Sequence, residues 1–383
     1  MSKVRLGDVA VEHKETCKNN KNGYPIVGLE HLIPEEITLS NWDEGSDNTF
    51  SKVFRKGNVL FGRRRAYLKK AAVVPFDGIC SGDITVIEAL PDKILPELLP
   101  FIIQNDALFD YAVGKSAGSL SPRVKWEHFQ NYEFELPELS KQKELADILW
   151  AMDETKKSYQ KLIFATDELV KSQFMEQFNL VRAESNGWSI VPLSSVVIKP
   201  LSGEWGQEDT DGTGVKVLRT TNFTDSGRID YSEVVRRSIE LKKVEAKALR
   251  DGDILIEKSG GSDTKPVGRV IFYQETSENY LFNNFTALLR PNTQKLNSRF
   301  LFTFLFVTYW NGGTKPYENK TTGIHNLKLE DYLDKTMISI PPIEVQEVFA
   351  EFVRQSDKSK FELEQALSEL TATYKRIISD NLG

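Results

Sequence analysis

The chain has 383 residues, 49 Lys and Arg against 55 Asp and Glu (net charge −6), and 40% hydrophobic residues. That is room for two or three globular domains, and the charge excludes a uniformly basic coat protein while leaving room for a local basic face. Cys17 and Cys80 with four scattered histidines make neither a disulfide framework nor a metal knuckle.

The first residues, MSKVRLGDVAVEHKE, lack the apolar core of a secretion signal, so a reduced, cytoplasmic protein is expected. Short β-type runs follow: Asn58–Gly62, Ala71–Phe76 and Asp83–Ala89, the first fed by the turn Lys56-Gly57-Asn58. Leu98–Val113 reads as one apolar helix. The segment Gly114–Ser116 has the GKS of a phosphate loop, but Phe109 stands where that loop needs glycine. No GxGxxG, GxSxG, DPPY or NPPY string occurs, so no catalytic function is expected of this chain.

Pro137 then precedes a helix start. Leu145, Ile148, Leu149, Met152, Tyr159, Ile163, Val170, Phe174 and Phe178 follow at helical spacing, with no Pro or Gly in 139–179. After a polar linker near 182–187 the pattern returns. Strand runs lie at Asp253–Lys258, Gly268–Tyr273 and Thr286–Pro291, and an apolar helix at Arg299–Trp310. A second uninterrupted stretch covers 343–381, striped by Phe349, Phe352, Val353, Leu363, Leu367, Tyr374, Ile378 and Leu382. The apolar run Phe300–Trp310 is 11 residues, short of the roughly 20 a membrane helix needs.

The chain therefore reads twice. Val4–Val9 matches Val191–Val196, Pro25–Leu32 matches Lys216–Phe223, Phe54–Phe61 matches Leu249–Ile256, Cys80–Ile87 matches Phe282–Leu289, and Glu135–Asp153 matches Ser339–Asp357. The order is kept while the offset grows from 187 to 204 residues, as longer loops in the second copy require. A period near 200 means duplicated domains, not a solenoid. The expected fold is α+β: two similar domains at 1–137 and 182–340, each followed by a long helix at 138–181 and 341–383. Each helix approaches 40 residues, or roughly 60 Å. The two helices are natural partners in an antiparallel, coiled-coil-like pair, with Leu145, Ile148, Met152, Tyr159, Ile163, Phe174, Phe349, Phe352, Leu363, Leu367 and Ile378 as packing residues.

Positive charge is concentrated in the same duplicated place. Lys52, Arg55, Lys56, Arg63, Arg64, Arg65, Lys69 and Lys70 crowd one stretch with no acid among them. Arginine forks suit phosphate oxygens and the guanine O6/N7 edge. The alternative is a solvated loop paired with the acidic stretch Glu30–Asp47. In the second half Lys258, Ser259, Lys265 and Arg269 surround Gly260 and Gly261, where glycine lets backbone approach a phosphate. A further loop pair, Ser116–Lys125 and Lys315–Lys328, contributes Arg123, Lys125, Lys315, Lys320 and His325. Arg219, Tyr67 and Tyr317 complete the candidate DNA-binding set.

Taken together the plan resembles the specificity subunit of type I restriction–modification enzymes. The similarity rests on the turn-and-strand Gly252–Leu255 with its twin Gly57–Leu60, the SGG loop after the former, and the start of each helix: Leu136-Pro137, Gln142, Ala146, Asp153 and Ile340-Pro341, Gln346, Ala350, Asp357. Leu169–Phe178 is also similar to the end of the central helix in such subunits. The first half departs from the pattern, carrying Gly62–Lys70 in place of an SGG-type loop. The resemblance implies a non-catalytic chain with two target-recognition domains, each reading one half of a bipartite site in double-stranded DNA, and a helix pair that sets the gap. It implies two modification (methyltransferase) subunits docked on this chain, with restriction subunits joining through them. S-adenosylmethionine, ATP and Mg would then sit on those partners, with no cofactor or metal on this chain and no membrane. The competing reading is a duplicated protein-assembly scaffold without DNA specificity.

Overall fold

The computed structural model describes residues 2–17, 23–45, 48–274, 278–321 and 324–383. It divides into two compact units, Met1–Leu162 with Leu363–Gly383, and Ile163–Glu362.

In the first unit, β-branched and aromatic runs form a four-stranded antiparallel sheet in the order Ala10–Glu12, Ile84–Ala89, Val59–Gly62, Ala71–Val73. A second sheet runs Asp43–Glu44, Pro25–Val27, Gly78–Cys80, Lys52–Phe54, with Pro25–Val27 and Gly78–Cys80 parallel. Ser2–Arg5 pairs with Glu133–Leu136 and ties the start of the chain to the strand before the long helix.

The second unit repeats this plan. Its antiparallel sheet is Val197–Ser202, Thr286–Pro291, Ile254–Glu257, Val270–Phe272. Val215–Leu218 and Tyr280–Phe282 again form a parallel pair, and Ser189–Pro192 again pairs with Met337–Ile340. A small sheet of Ser259–Gly261, Ile324–Leu327 and Glu318–Thr321 is formed as well.

The turns are copied too. Gly57 (φ 90°) and Gly252 (φ 82°) adopt the left-handed conformation that glycine tolerates. Beside them the Arg55 amide donates to Asn58 Oδ1 at 2.8 Å and the Arg250 amide to Asp253 Oδ2 at 2.8 Å. One expected element is corrected. Leu98–Val113 is not a single helix: Leu99–Ile103 and Asp106–Gly114 are separate, because Asn105 is extended and its side chain caps the second piece by accepting from the Ala107 amide. In the second unit Asn297 plays the same cap for an unbroken helix, Ser298–Trp310.

The long helices are Leu139–Phe178 and Ile343–Leu382, 40 residues each. The first unit's core takes the beginning of one, through Leu145, Ala146 and Leu149, and the end of the other, through Tyr374, Ile378 and Leu382. The second unit's core takes the converse ends: Phe349 and Val353 with Phe174 and Phe178. There the Phe178 and Phe349 rings lie 5.1 Å apart, and Lys360 Nζ meets the Asp167 carboxylate at 2.5 Å; the two stretches run antiparallel. Met152 and Phe352 pack against the cores, while Tyr159, Ile163, Leu363 and Leu367 are half-buried. Ile148 departs from the expected packing set: it lies at the edge of the stripe and is 44% exposed.

Candidate nucleic-acid interface

The strand Val59–Gly62 delivers the chain to Arg63, whose amide donates to the Asp83 carbonyl at 3.1 Å and whose carbonyl accepts from the Val124 amide at 3.0 Å. In the second unit the Lys258 amide donates to the Phe285 carbonyl at 2.7 Å, and its carbonyl accepts from the Leu327 amide at 2.8 Å. Arg64 bridges Arg123 in the same way that Ser259 pairs with Asn326. The arginine cluster and the SGG loop thus occupy one architectural position. Arg65 (φ 55°) and Gly260 (φ 113°) even share a positive φ.

Within this frame the first unit gathers charge. Arg123 Nε donates to Asp83 Oδ1 at 2.7 Å and its Nη2 to Oδ2 at 3.3 Å. Arg64 reaches the same carboxylate at 3.4 Å and Ser121 Oγ at 3.1 Å. The Arg123 hydrogen bond holds the Asp83 carboxyl below the usual carboxylate range. Arg65 is exposed, and its amide donates to the Pro122 carbonyl at 2.9 Å. Arg65 and Lys69 are both left-handed and bracket the short turn Ala66–Leu68. Strain of this kind in residues other than glycine gathers at functional sites. Tyr67 is 55% exposed and Leu120 90%; Lys125 also faces solvent.

Other members of the cluster are engaged within the fold. Arg55 pairs with Glu15 and Asp77, Lys69 with Asp106 at 2.5 Å, and Lys52 Nζ donates to the Ile84 carbonyl at 2.7 Å. The stretch Glu30–Asp47, whose Ser46 and Asp47 lie outside the described residues, supplies none of these partners.

Several residues of the candidate DNA-binding set are also bonded within the fold. Lys70 Nζ donates to the Leu29 carbonyl at 2.7 Å. Arg269, at the equivalent place, donates to the Thr220 carbonyl at 3.1 Å and the Phe223 carbonyl at 3.2 Å, and pairs with buried Glu257 at 2.9 Å. Both tie one sheet to the loop after a strand of the other. Tyr317 stacks edge-on against Tyr332 at 5.5 Å, and His325 is buried between Glu318 at 3.2 Å and Asp263 at 3.6 Å. Lys320 pairs with Asp263 and Lys265 with Asp225 at 3.1 Å. Half-buried Lys258 donates to Ser202 Oγ at 2.7 Å, and burial pushes its ammonium pKa down. Arg219 donates to the Glu233 carbonyl at 2.9 Å. Lys315 is exposed. Thr322 and Gly323 of this loop lie outside the described residues.

Asp83 and Phe285, which the structure places beside these loops, were not in the candidate set read from the sequence, whereas Leu120, Ser121 and Asn326 lie in the loop pair Ser116–Lys125 and Lys315–Lys328 that was. Asp83 and Phe285 are aligned in the repeat Cys80–Ile87 and Phe282–Leu289, so the signal was there in the position and not in the residue type. Among the described residues no group of three or more His, Cys, Asp or Glu is placed to hold a metal ion. No described helix is long and apolar enough to cross a membrane.

Comparison with known proteins accords with this geometry. The chain is 25% identical over 230 residues to the type I restriction enzyme StySPI specificity subunit of Salmonella potsdam, a match covering 55% of this chain and 48% of that protein, so it spans about half the relative's length. Its fold is similar to a chain from a structural study of complex assembly and conformational transition in a type I R-M system (TM-score 0.60, 20% identity, 99% of this chain and 97% of that one). It is also similar to the type I restriction-modification S subunit from M. genitalium (TM-score 0.58, 12% identity, 98% and 94%). The family model for the type I restriction modification DNA specificity domain matches residues 1–163 and 203–371, and the chain belongs to that family.

Proposed function

We propose that this chain is the non-catalytic, sequence-reading subunit of a type I restriction–modification complex. Each unit reads one half of a bipartite site in double-stranded DNA, and the long helices set the gap between the halves. The observation that carries this reading is the duplicated loop position, where Arg63–Arg65 and Lys258–Gly261 are presented by the same backbone bonds. Phosphate contacts from exposed Arg65, Lys125 and Lys315 supply affinity and register, and base-edge contacts supply choice. Two non-identical readers remove the need for a palindromic target. Two methyltransferase subunits dock on this chain and bring S-adenosylmethionine; restriction subunits with ATP and Mg join through them.

The test is to assemble the chain with the methyltransferase subunits of its own cell and map methylated DNA positions with and without it. A bipartite motif that vanishes without this chain supports the reading. Protein assembly with no sequence-selective DNA retention supports the scaffold alternative. Inserting one helical turn after Asp167 should change the tolerated gap and leave both half-sites unaltered; altered half-sites overturn the division of labour.

A further inference from the structure

Three positions in each unit are brought together by the same backbone bonds. In the first unit they hold Arg64, Asp83 and Arg123; in the second, Ser259, Phe285 and Asn326. Around them the two copies keep several bonds of the fold in common. His31 Nδ1 accepts from the Gly28 amide at 2.9 Å, and Asn222 Oδ1 accepts from the Arg219 amide at 2.9 Å. Lys70 and Arg269 are both cations donating to the carbonyl of the residue after Gly28 or Arg219. At the three shared positions this restraint ends. A cation–carboxylate–cation set stands in one copy and a hydroxyl, a phenyl ring and an amide in the other. Identical presentation with unrelated side chains separates what the fold requires from what the chain reads.

We propose that these triplets are the base-reading tips of the two units, and that Arg64–Asp83–Arg123 recognises a guanine edge in the major groove. The proposal rests on the DNA-reading function given above and names its specificity residues. Guanine presents two neutral acceptors, N7 and O6, to which an arginine fork donates. Asp83 grips Arg123 through Nε and Nη2, which fixes the plane of the guanidinium before DNA arrives and reduces the freedom lost on binding. The side chains of Arg64 and Arg123 remain 37% and 40% exposed. The central carboxylate also discriminates between targets. It cancels one of the two guanidinium charges, so the triplet attracts phosphate less than two free arginines would. In the second unit Phe285 is 48% exposed and none of the three positions is charged. The exposed Phe285 ring suits the thymine methyl.

The experiment uses the full chain assembled with its methyltransferase subunits and a library of bipartite duplexes. Arg123→Lys keeps the charge and removes the fork. Asp83→Asn keeps the shape and removes the buttress, and it covers the case in which the first variant fails to fold. Both should reduce preference for guanine at one position of one half-site by about 10- to 100-fold, leaving the other half-site and the salt slope as in the wild type. Phe285→Ala should alter only the opposite half-site. Uniform weakening across all sequences, with both half-sites intact, would identify a phosphate contact and overturn the proposal. A change in the wrong half-site overturns it as well. A wild-type complex with no sequence preference is a distinct result that removes the DNA-reading function itself.

Discussion

Gln142 and Gln346 make the same two hydrogen bonds at the root of the two long helices. Each Nε2 donates to the carbonyl of the proline five residues earlier, Pro137 or Pro341, at 2.8 Å. Each Oε1 accepts a backbone amide from the preceding domain, Leu95 at 2.8 Å or Asn297 at 2.9 Å. One side chain thus joins three segments: the strand exit, the helix and the loop before the domain's own helix. Ala146 and Ala350, one turn on, are buried against the cores. Asp153 and Asp357 then pair with Lys157 at 2.7 Å and Arg299 at 2.6 Å. The Pro-Gln-Ala spacing shared by both halves is therefore a docking device for a helix on its domain; Asp357 adds a bond to the domain helix through Arg299, whereas Asp153 pairs within its own helix.

Gln142→Leu should cost about 2–3 kcal/mol, because it leaves a partly buried amide and a buried carbonyl without partners. Denaturant unfolding read alongside hydrogen exchange checks this. Protection should fall in the first unit and hold in the second, and Gln346→Leu should do the reverse.

Lys360 is nearly buried and its ammonium is neutralised by Asp167 at 2.5 Å. Asp167→Asn leaves that charge unpaired and should destabilise the second unit by about 2 kcal/mol, less than a fully buried pair because Asp167 is partly open. The double variant Asp167→Asn with Lys360→Met should recover most of the loss, since no charge is then stranded. A double-mutant cycle in urea measures the coupling.

Asp83 titrates below the usual carboxylate range because Arg123 donates to it. A folded pKa depressed below the unfolded value of about 3.9 stabilises the fold above that value. The contribution is lost as pH falls through the folded midpoint. The clamp therefore stays closed at neutral pH and opens only in strong acid. Carboxyl NMR should find the Asp83 midpoint moving up in Arg123→Ala.

Arg65 occupies the left-handed region at φ 55° and ψ 56°. Relief of that strain in Arg65→Gly is offset by the greater freedom of glycine in the unfolded chain, so stability should hold or rise by up to about 1 kcal/mol. DNA retention by the assembled complex should nonetheless weaken and its salt dependence flatten by about 0.9 in slope for one lost phosphate contact. Unchanged retention at several salt concentrations would remove Arg65 from the interface.

Much of the fold was legible because it rests on local chemistry or on period. Gly57 and Gly252 mark turns that need positive φ. The six apolar runs became strands, and 40 residues without Pro or Gly became a helix, twice over. The Asn105 break was missed because a cap inside an apolar stretch competes with helix periodicity and won there.

Which cations are available to a ligand was not legible in the same way. The pairs that decide it join residues far apart in the chain: Arg64 and Asp83 are 19 residues apart, Arg123 and Asp83 40. Their meeting depends on strand register, which composition does not encode. The amino-acid sequence by itself determined that there are two copies of one domain-and-helix unit, since duplication is written in the order of its motifs. Only the tertiary structure decided that Arg269 is largely enclosed by its partners while Arg64 and Arg123, although bonded to Asp83, keep more than a third of their side chains exposed. A guanidinium carries the same charge in either place, and the carboxylates and carbonyls around it determine whether its donors are already used.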